Sequence, residues 1–102
     1  MNLGQILAGV RLKSPVSPEL ADTPVTGLEY DSRRVSAGFL FFAFPGSRVD
    51  GRSFALDAVT RGALAVVSES AAPEDWKGPW IQVEHGRQAL ALASRNFYNC
   101  PD

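Results

Sequence analysis

The chain has one cysteine, Cys100, and one histidine, His85. An internal disulfide is therefore excluded, and no Cys/His cluster at metal-ligand spacing can be assembled. No apolar run approaches the ~20 residues needed to cross a bilayer. Arg11 and Lys13 follow the short apolar stretch near the N-terminus rather than precede it, the reverse of a secretory signal. The expectation is a cytoplasmic protein with no membrane partner. There is no run of lysines or arginines, and the formal net charge is −1, unlike the basic surfaces that neutralise many phosphates of a nucleic acid. Nucleic acid is not an expected partner. Two phosphate-binding patterns are also missing: Gly-x-x-x-x-Gly-Lys-Ser/Thr and Gly-x-Gly-x-x-Gly. No ATP site, metal site or cofactor is expected within the chain itself, and no internal repeat or low-complexity segment is found.

What is present is enough apolar residue for one core. With 102 residues, 45% of them hydrophobic, a single domain spanning 1–102 can bury ~60–70% of its unfolded surface, and a second core does not fit. Asn2 can cap a short helix whose apolar positions Leu3, Ile6, Leu7 and Val10 follow helical spacing. Three prolines between Ser14 and Pro24 point to a surface loop. Val25–Tyr30 and the aromatic run Phe39–Phe44 read as strands, the second covered on both faces. Ser53 can cap a helix through Thr60 with Phe54, Ala55, Ala58 and Val59 on one face and Gly62 at its stop. Ala63–Ser68 and Trp80–Val83 read as further strands, with Pro73–Pro79 a polar turn region between them, and Arg87–Tyr98 as a closing helix. Strands alternating with helices predict an α/β fold: a small mixed or mostly parallel sheet of four to five strands with helices packed on its faces. The first two strands, with no helix between them, leave open an antiparallel pair.

The chemistry concentrates in two loops, Tyr30-Asp31-Ser32-Arg33-Arg34-Val35-Ser36-Ala37-Gly38 and Gly46-Ser47-Arg48-Val49-Asp50-Gly51-Arg52-Ser53-Phe54. From Arg33 to Arg52 four arginines face one aspartate, a local surplus of about three positive charges in a slightly acidic chain, and such a focus attracts anions. The Ser32 hydroxyl and backbone amides around Gly46, Ser47 and Arg48 suit phosphate oxygens, glycine allowing the close approach. Plainer readings stand beside this one. Asp31-Ser32-Arg33 can be a turn in which Asp31 bonds its own backbone, and Arg33 and Arg34 ordinary solvated charges. His85 has no nucleophile or ligand partner nearby in sequence and is given no role; Trp76 and Trp80 anchor a turn, and the phenylalanines build core rather than a base-stacking platform.

The order of these pieces carries a resemblance. Asp31-Ser32-Arg33, then Val35 and Gly38, Leu40-Phe41-Phe42-Ala43, Gly46, Asp50-Gly51, Phe54, Ala58, and Gly62-Ala63 before Ala65-Val66-Val67 resemble the N-terminal domain of Mur ligases of the MurE type. Arg95-Asn96-Phe97-Tyr98 and Pro101 resemble the helix and proline that precede the family's ATP-binding loop. MurF-type ligases share the Asp-Ser-Arg and Asp-Gly elements and are the nearest alternative, whereas the MurC and MurD types begin with a glycine-rich segment that is missing here. The resemblance implies an enzyme that uses ATP and magnesium to join UDP-N-acetylmuramoyl-L-alanyl-D-glutamate to meso-diaminopimelate or L-lysine in peptidoglycan synthesis. It implies that this domain holds the uridine diphosphate moiety through Tyr30, Ser32, Ser47, Arg48 and Val49, with Asp31 organising the turn. It further implies that the protein continues past Asp102 into a short strand and a Gly-Thr-Asn-Gly-Lys-Thr-Thr-like ATP loop, that the metal ligands and amino-acid site also lie beyond Asp102, and that the ATP-binding domain is this domain's partner. Alone the domain would bind and not catalyse. The rival is a non-catalytic regulatory or anion-binding domain of the same fold.

Overall fold

The structure, a computed structural model, describes residues 1–44 and 51–98, with the side chains of residues 51–53 outside the description. Its elements in chain order are α1 (Leu3–Ile6), α2 (Pro18–Ala21), β1 (Gly27–Glu29), a 3-10 turn (Ser32–Arg34), β2 (Phe39–Ala43), α3 (Gly51–Thr60), β3 (Ala65–Ser68), β4 (Trp80–Gln82) and α4 (Gly86–Tyr98). The four strands form one sheet in the order β1-β2-β3-β4, and every neighbouring pair is parallel. The α/β expectation holds, and the open question of the first two strands is answered: the 3-10 turn, short as it is, carries the chain back for a parallel return.

Sequential order has a consequence for the layers. Right-handed crossovers between successive neighbours put every connection on the same face of the sheet. Val35 after the 3-10 turn, Ala55 and Ala58 of α3, and Trp76 of the β3–β4 connection all pack with Phe41, Ala43 and Val66. The opposite face must then be covered by chain outside the crossovers. Leu3, Ile6 and Leu7 from the first helix and its end, Leu20 of α2, and Ala89 and Ala93 of α4 do this, against Leu28, Leu40, Phe42, Val67 and Ile81. The alternation within β2, Leu40 and Phe42 one way and Phe41 and Ala43 the other, is why that strand reads as a continuous apolar run.

Local signals account for most element ends. Asn2 Oδ1 accepts from the Gln5 N–H at 2.8 Å while Gln5 Oε1 accepts from the Asn2 N–H at 2.9 Å, a reciprocal cap. Asn96 Nδ2 donates to the carbonyls of Ile6 and Ala8 at 2.9 and 3.0 Å, fastening α4 to the end of α1. The loop expected between Ser14 and Pro24 instead contains α2: Ser17 Oγ accepts from the Leu20 N–H at 3.2 Å and Pro18 occupies the first turn. Proline is well suited to that position because its missing N–H has no helical partner there anyway.

The helix predicted from a Ser53 cap begins at Gly51, so Ser53 lies inside α3; Asp50 and Ser53 are both capping residue types, and the sequence rule does not choose between them. Its apolar face is also narrower than expected. Ala55 and Ala58 are fully buried, whereas Phe54, Leu56 and Val59 are exposed, because α3 approaches the sheet through small side chains. Gly62 ends this segment with φ +110° and takes the Gly38 N–H on its carbonyl at 3.0 Å. A Cβ there would lie 2.8 Å from Ala37 Cα. Gly62→Ala is expected to cost about 2–4 kcal/mol, from left-handed backbone strain and a backbone clash, measurable by urea unfolding; a loss under about 0.5 kcal/mol would contradict this account.

Candidate functional site

All four strands run the same way, so their C-terminal ends gather at one edge, the edge at which open α/β sheets hold ligands. Tyr30 and Asp31 leave β1 there, Phe44 leaves β2, Ser68 and Glu69 leave β3, and Gly86 opens α4 after β4.

The turn after β1 is held by two carboxylates. Glu29 Oε1 accepts the N–H groups of Tyr30 and Asp31 at 3.1 and 3.2 Å. Asp31 Oδ1 accepts the Arg33 N–H at 3.0 Å, capping the 3-10 turn, and the same carboxylate takes the Arg33 guanidinium through Nε at 3.1 Å and Nη2 at 3.0 Å. The Arg33 side chain, then its backbone N–H, holds the Asp31 carboxyl below its ordinary value, and the same contact raises Arg33. Asp31 is thus the turn organiser the sequence suggested. Arg33, however, is not free to draw an anion: its charge is matched by Asp31, and the surplus read from composition is smaller at this turn than counted.

A group whose folded pKa is depressed contributes stability above its unfolded pKa and loses it as pH falls through the folded value. The melting temperature of the chain should therefore drop on acidification below the ordinary carboxylate value of 3.8, and Asp31→Asn should flatten part of that drop. Parallel pH profiles for the two proteins would contradict this. The pair is largely exposed, so the difference is small.

Ser32 sits beneath this turn, 3% exposed. Among the described residues no hydrogen bond engages its hydroxyl. It lines an open cleft of about 470 Å³ with Tyr30, Asp31, Arg33 and Phe54. Tyr30, 64% exposed, is the wall shared with a second cleft of about 470 Å³, lined also by Phe44, Arg87, Leu90 and Ala91. The Tyr30 and Phe44 ring centroids are 6.3 Å apart at 44°, and the Arg87 guanidinium carbon is 5.0 Å from the Phe44 centroid, a cation–π arrangement. One side of Tyr30 offers the unbonded Ser32 hydroxyl and the other an aromatic slot with a guanidinium.

The structure therefore brings Tyr30 and Ser32 together at one edge. Ser47, Arg48 and Val49 lie outside the described residues, as do Gly46 and Asp50. The segment containing them joins Phe44, a wall of the second cleft, to the helix bearing Phe54, a wall of the first. Phe44 and Arg87 join these clefts without having been expected from the sequence. Phe44 was absorbed into an apolar strand, although its place at the end of that run, directly before the glycine-rich loop, was a usable signal. Arg87 carried none beyond its place at the head of a helix. His85 precedes α4, its carbonyl accepting the Ala89 N–H at 2.9 Å. Trp76 and Trp80 meet edge to face at 5.1 Å, anchoring the turn as expected. Among the described residues no group of three or more His, Cys, Asp or Glu is placed to hold a metal ion, and no helix is long and apolar enough to cross a membrane.

Residues 24–98 match the sequence profile described as "Mur ligase family, catalytic domain". The chain is 67% identical over 102 residues to the UDP-N-acetylmuramoyl-L-alanyl-D-glutamate--2,6-diaminopimelate ligase of Solibacter usitatus (strain Ellin6076), covering 100% of this chain and 21% of that one. It is 39% identical over 100 residues to the ligase of the same name from Chlorobium phaeobacteroides (strain DSM 266 / SMG 266 / 2430), 96% of this chain and 20% of that one. A solved structure of a ligase with that name superposes with a TM-score of 0.75 at 24% identity, over 99% of this chain and 20% of that chain. MurF from Acinetobacter baumannii superposes with a TM-score of 0.66 at 22% identity, over 93% of this chain and 20% of that chain. These two likenesses concern the fold. The chain spans about one fifth of the length of the curated relatives.

Proposed function

Because the chain belongs to the Mur ligase family, we propose that it is the part of a MurE-type ligase that holds the uridine diphosphate end of UDP-N-acetylmuramoyl-L-alanyl-D-glutamate. The observation that carries this reading is the pairing across Tyr30: on one side the Ser32 hydroxyl, on a cleft-lining residue and without a hydrogen bond among the described residues, and on the other the Phe44–Arg87 slot. A hydroxyl donates to a phosphate oxygen, and aromatic and guanidinium planes accept a flat base. Ser47, Arg48 and Val49 complete the site in this proposal, with backbone amides toward the diphosphate and the base edge.

The parent protein, on this reading, works in the cytoplasm and uses ATP and magnesium to activate the D-glutamate carboxylate for attack by the amino group of the incoming amino acid. The residues described here do not fit either group: they offer no metal cluster, and the sequence has no phosphate loop. Both would be held by a partner ATP-binding domain of the same protein, and this chain alone would bind substrate without turning it over.

Calorimetric titration of the chain with UDP, ADP and inorganic phosphate tests the proposal. UDP should bind in clear preference to both. Equal binding of all three would replace it with the rival reading, a general anion patch, which the matching of Arg33 by Asp31 already disfavours.

A further inference from the structure

A carboxylate stands at the same sheet edge that the nucleotide reading leaves unused. Glu69, just past β3, turns Oε2 onto the N–H of Gly86, the first residue of α4, at 2.7 Å. It is held firmly for that contact: its carbonyl accepts from Gln82 Nε2 at 2.9 Å, and on either side of it Ser68 Oγ accepts the Ser70 N–H at 3.1 Å. A helix N-terminus presents unpaired amides and a partial positive charge, and a carboxylate satisfies both. The fit is close, because a Cβ on Gly86 would lie 3.1 Å from Glu69 Oε2 and 3.4 Å from Phe44 Cδ1. The next residue is Arg87, whose guanidinium covers the Phe44 ring. Glu69, Gly86, Phe44 and Arg87 form one continuous set of contacts leading into the second cleft.

Two physical consequences follow. The cap fixes the start of α4, and with it the point from which Arg87 reaches over Phe44. It also places the chain's own anion where a free helix end would otherwise collect a phosphate, so a ligand phosphate there would meet like charge. On the far side of Tyr30 the only carboxylate lining the cleft, among the described residues, is Asp31, and Arg33 matches it.

Resting on the nucleotide reading above, we infer that Glu69 is a positioning residue for the ligand. By capping α4 it holds Arg87 over Phe44 and keeps phosphate from that helix end, so the base enters the Phe44–Arg87 cleft and the phosphates lie on the Ser32 side of Tyr30.

The test compares the chain with Glu69→Ala and Glu69→Gln in titrations with UDP, uridine and pyrophosphate, alongside thermal melts. Glu69→Ala should weaken uridine and UDP by the same factor, about tenfold, without lowering pyrophosphate affinity. A role in folding alone would lower all three together, and that outcome, or unchanged uridine binding, overturns the inference. Glu69→Gln keeps an oxygen for the Gly86 amide and removes the charge, so it should retain uridine affinity and bind pyrophosphate severalfold more tightly. Unchanged pyrophosphate binding in this variant overturns the inference even if Glu69→Ala does not fold. Failure of the underlying reading looks different: the unaltered chain would then show no preference for UDP over pyrophosphate.

Discussion

Ser32→Ala is expected to weaken UDP binding roughly ten- to hundredfold while leaving the melting temperature of the chain nearly unchanged. Ser32 lines a cleft and no described residue bonds its hydroxyl, so its removal leaves no protein partner stranded. What is lost is a hydrogen bond to a charged acceptor, worth about 1.5–3 kcal/mol, which converts to that range of affinity. Asp31→Ala behaves differently. It removes the cap of the 3-10 turn and the partner of Arg33 at once, so the turn that presents Ser32 loosens and stability falls at least as much as binding. Calorimetry and melts on the two variants separate these roles. If Ser32→Ala binds UDP as the parent does and melts much earlier, the hydroxyl belongs to the fold and the diphosphate has been misplaced.

The largest loss of stability is expected from Phe42→Ala. Phe42 is 1% exposed, next to the last residue of β2, facing the cluster built by α1, α4 and the sheet. Truncation there removes the transfer free energy of the ring and leaves a cavity, about 3–5 kcal/mol together, which for a domain of this size lowers the melting temperature by roughly 15–30 °C. Phe44→Ala, two residues on, is the contrasting control. Its ring is only partly buried against the core and lies at the sheet edge between Tyr30 and Arg87, so it should reduce UDP affinity more than it reduces stability. Comparable losses of stability in the two variants would mean that Phe44 is core, as the apolar run suggested, and not part of the site.

The two phenylalanines mark how far local pattern reaches. Alternation along 39–44 identifies a strand covered on both faces, but it does not say where that strand leaves the core. The Asn2 cap was legible because its partner, Gln5, lies one turn away. The α2 start at Ser17 and Pro18 obeyed an equally local rule and was obscured by the density of prolines around it. The breadth of the α3 face was misjudged, since spacing shows which residues share a stripe and not how closely the helix approaches the sheet: Ala55 and Ala58 are buried while Phe54 and Val59 are not. The proposal that Tyr30 and Ser32 belong to a site draws, on the sequence side, only on their order with the glycine-rich loop and the family that order resembles.

The α/β class, the Asn2 cap, the two-faced burial of the 39–43 strand and the turn chemistry of Asp31 are written in the local sequence. These depend on the side-chain period of helix and strand and on hydrogen bonds a few residues long. The tertiary structure alone decided that all four strands are parallel, that α1, α2 and α4 share one face, and that Glu69 reaches Gly86 across a separation of 17 residues to place Arg87 over Phe44. Such juxtapositions follow from strand order and crossover hand, which bring distant residues to a common edge without leaving any periodic trace in the chain.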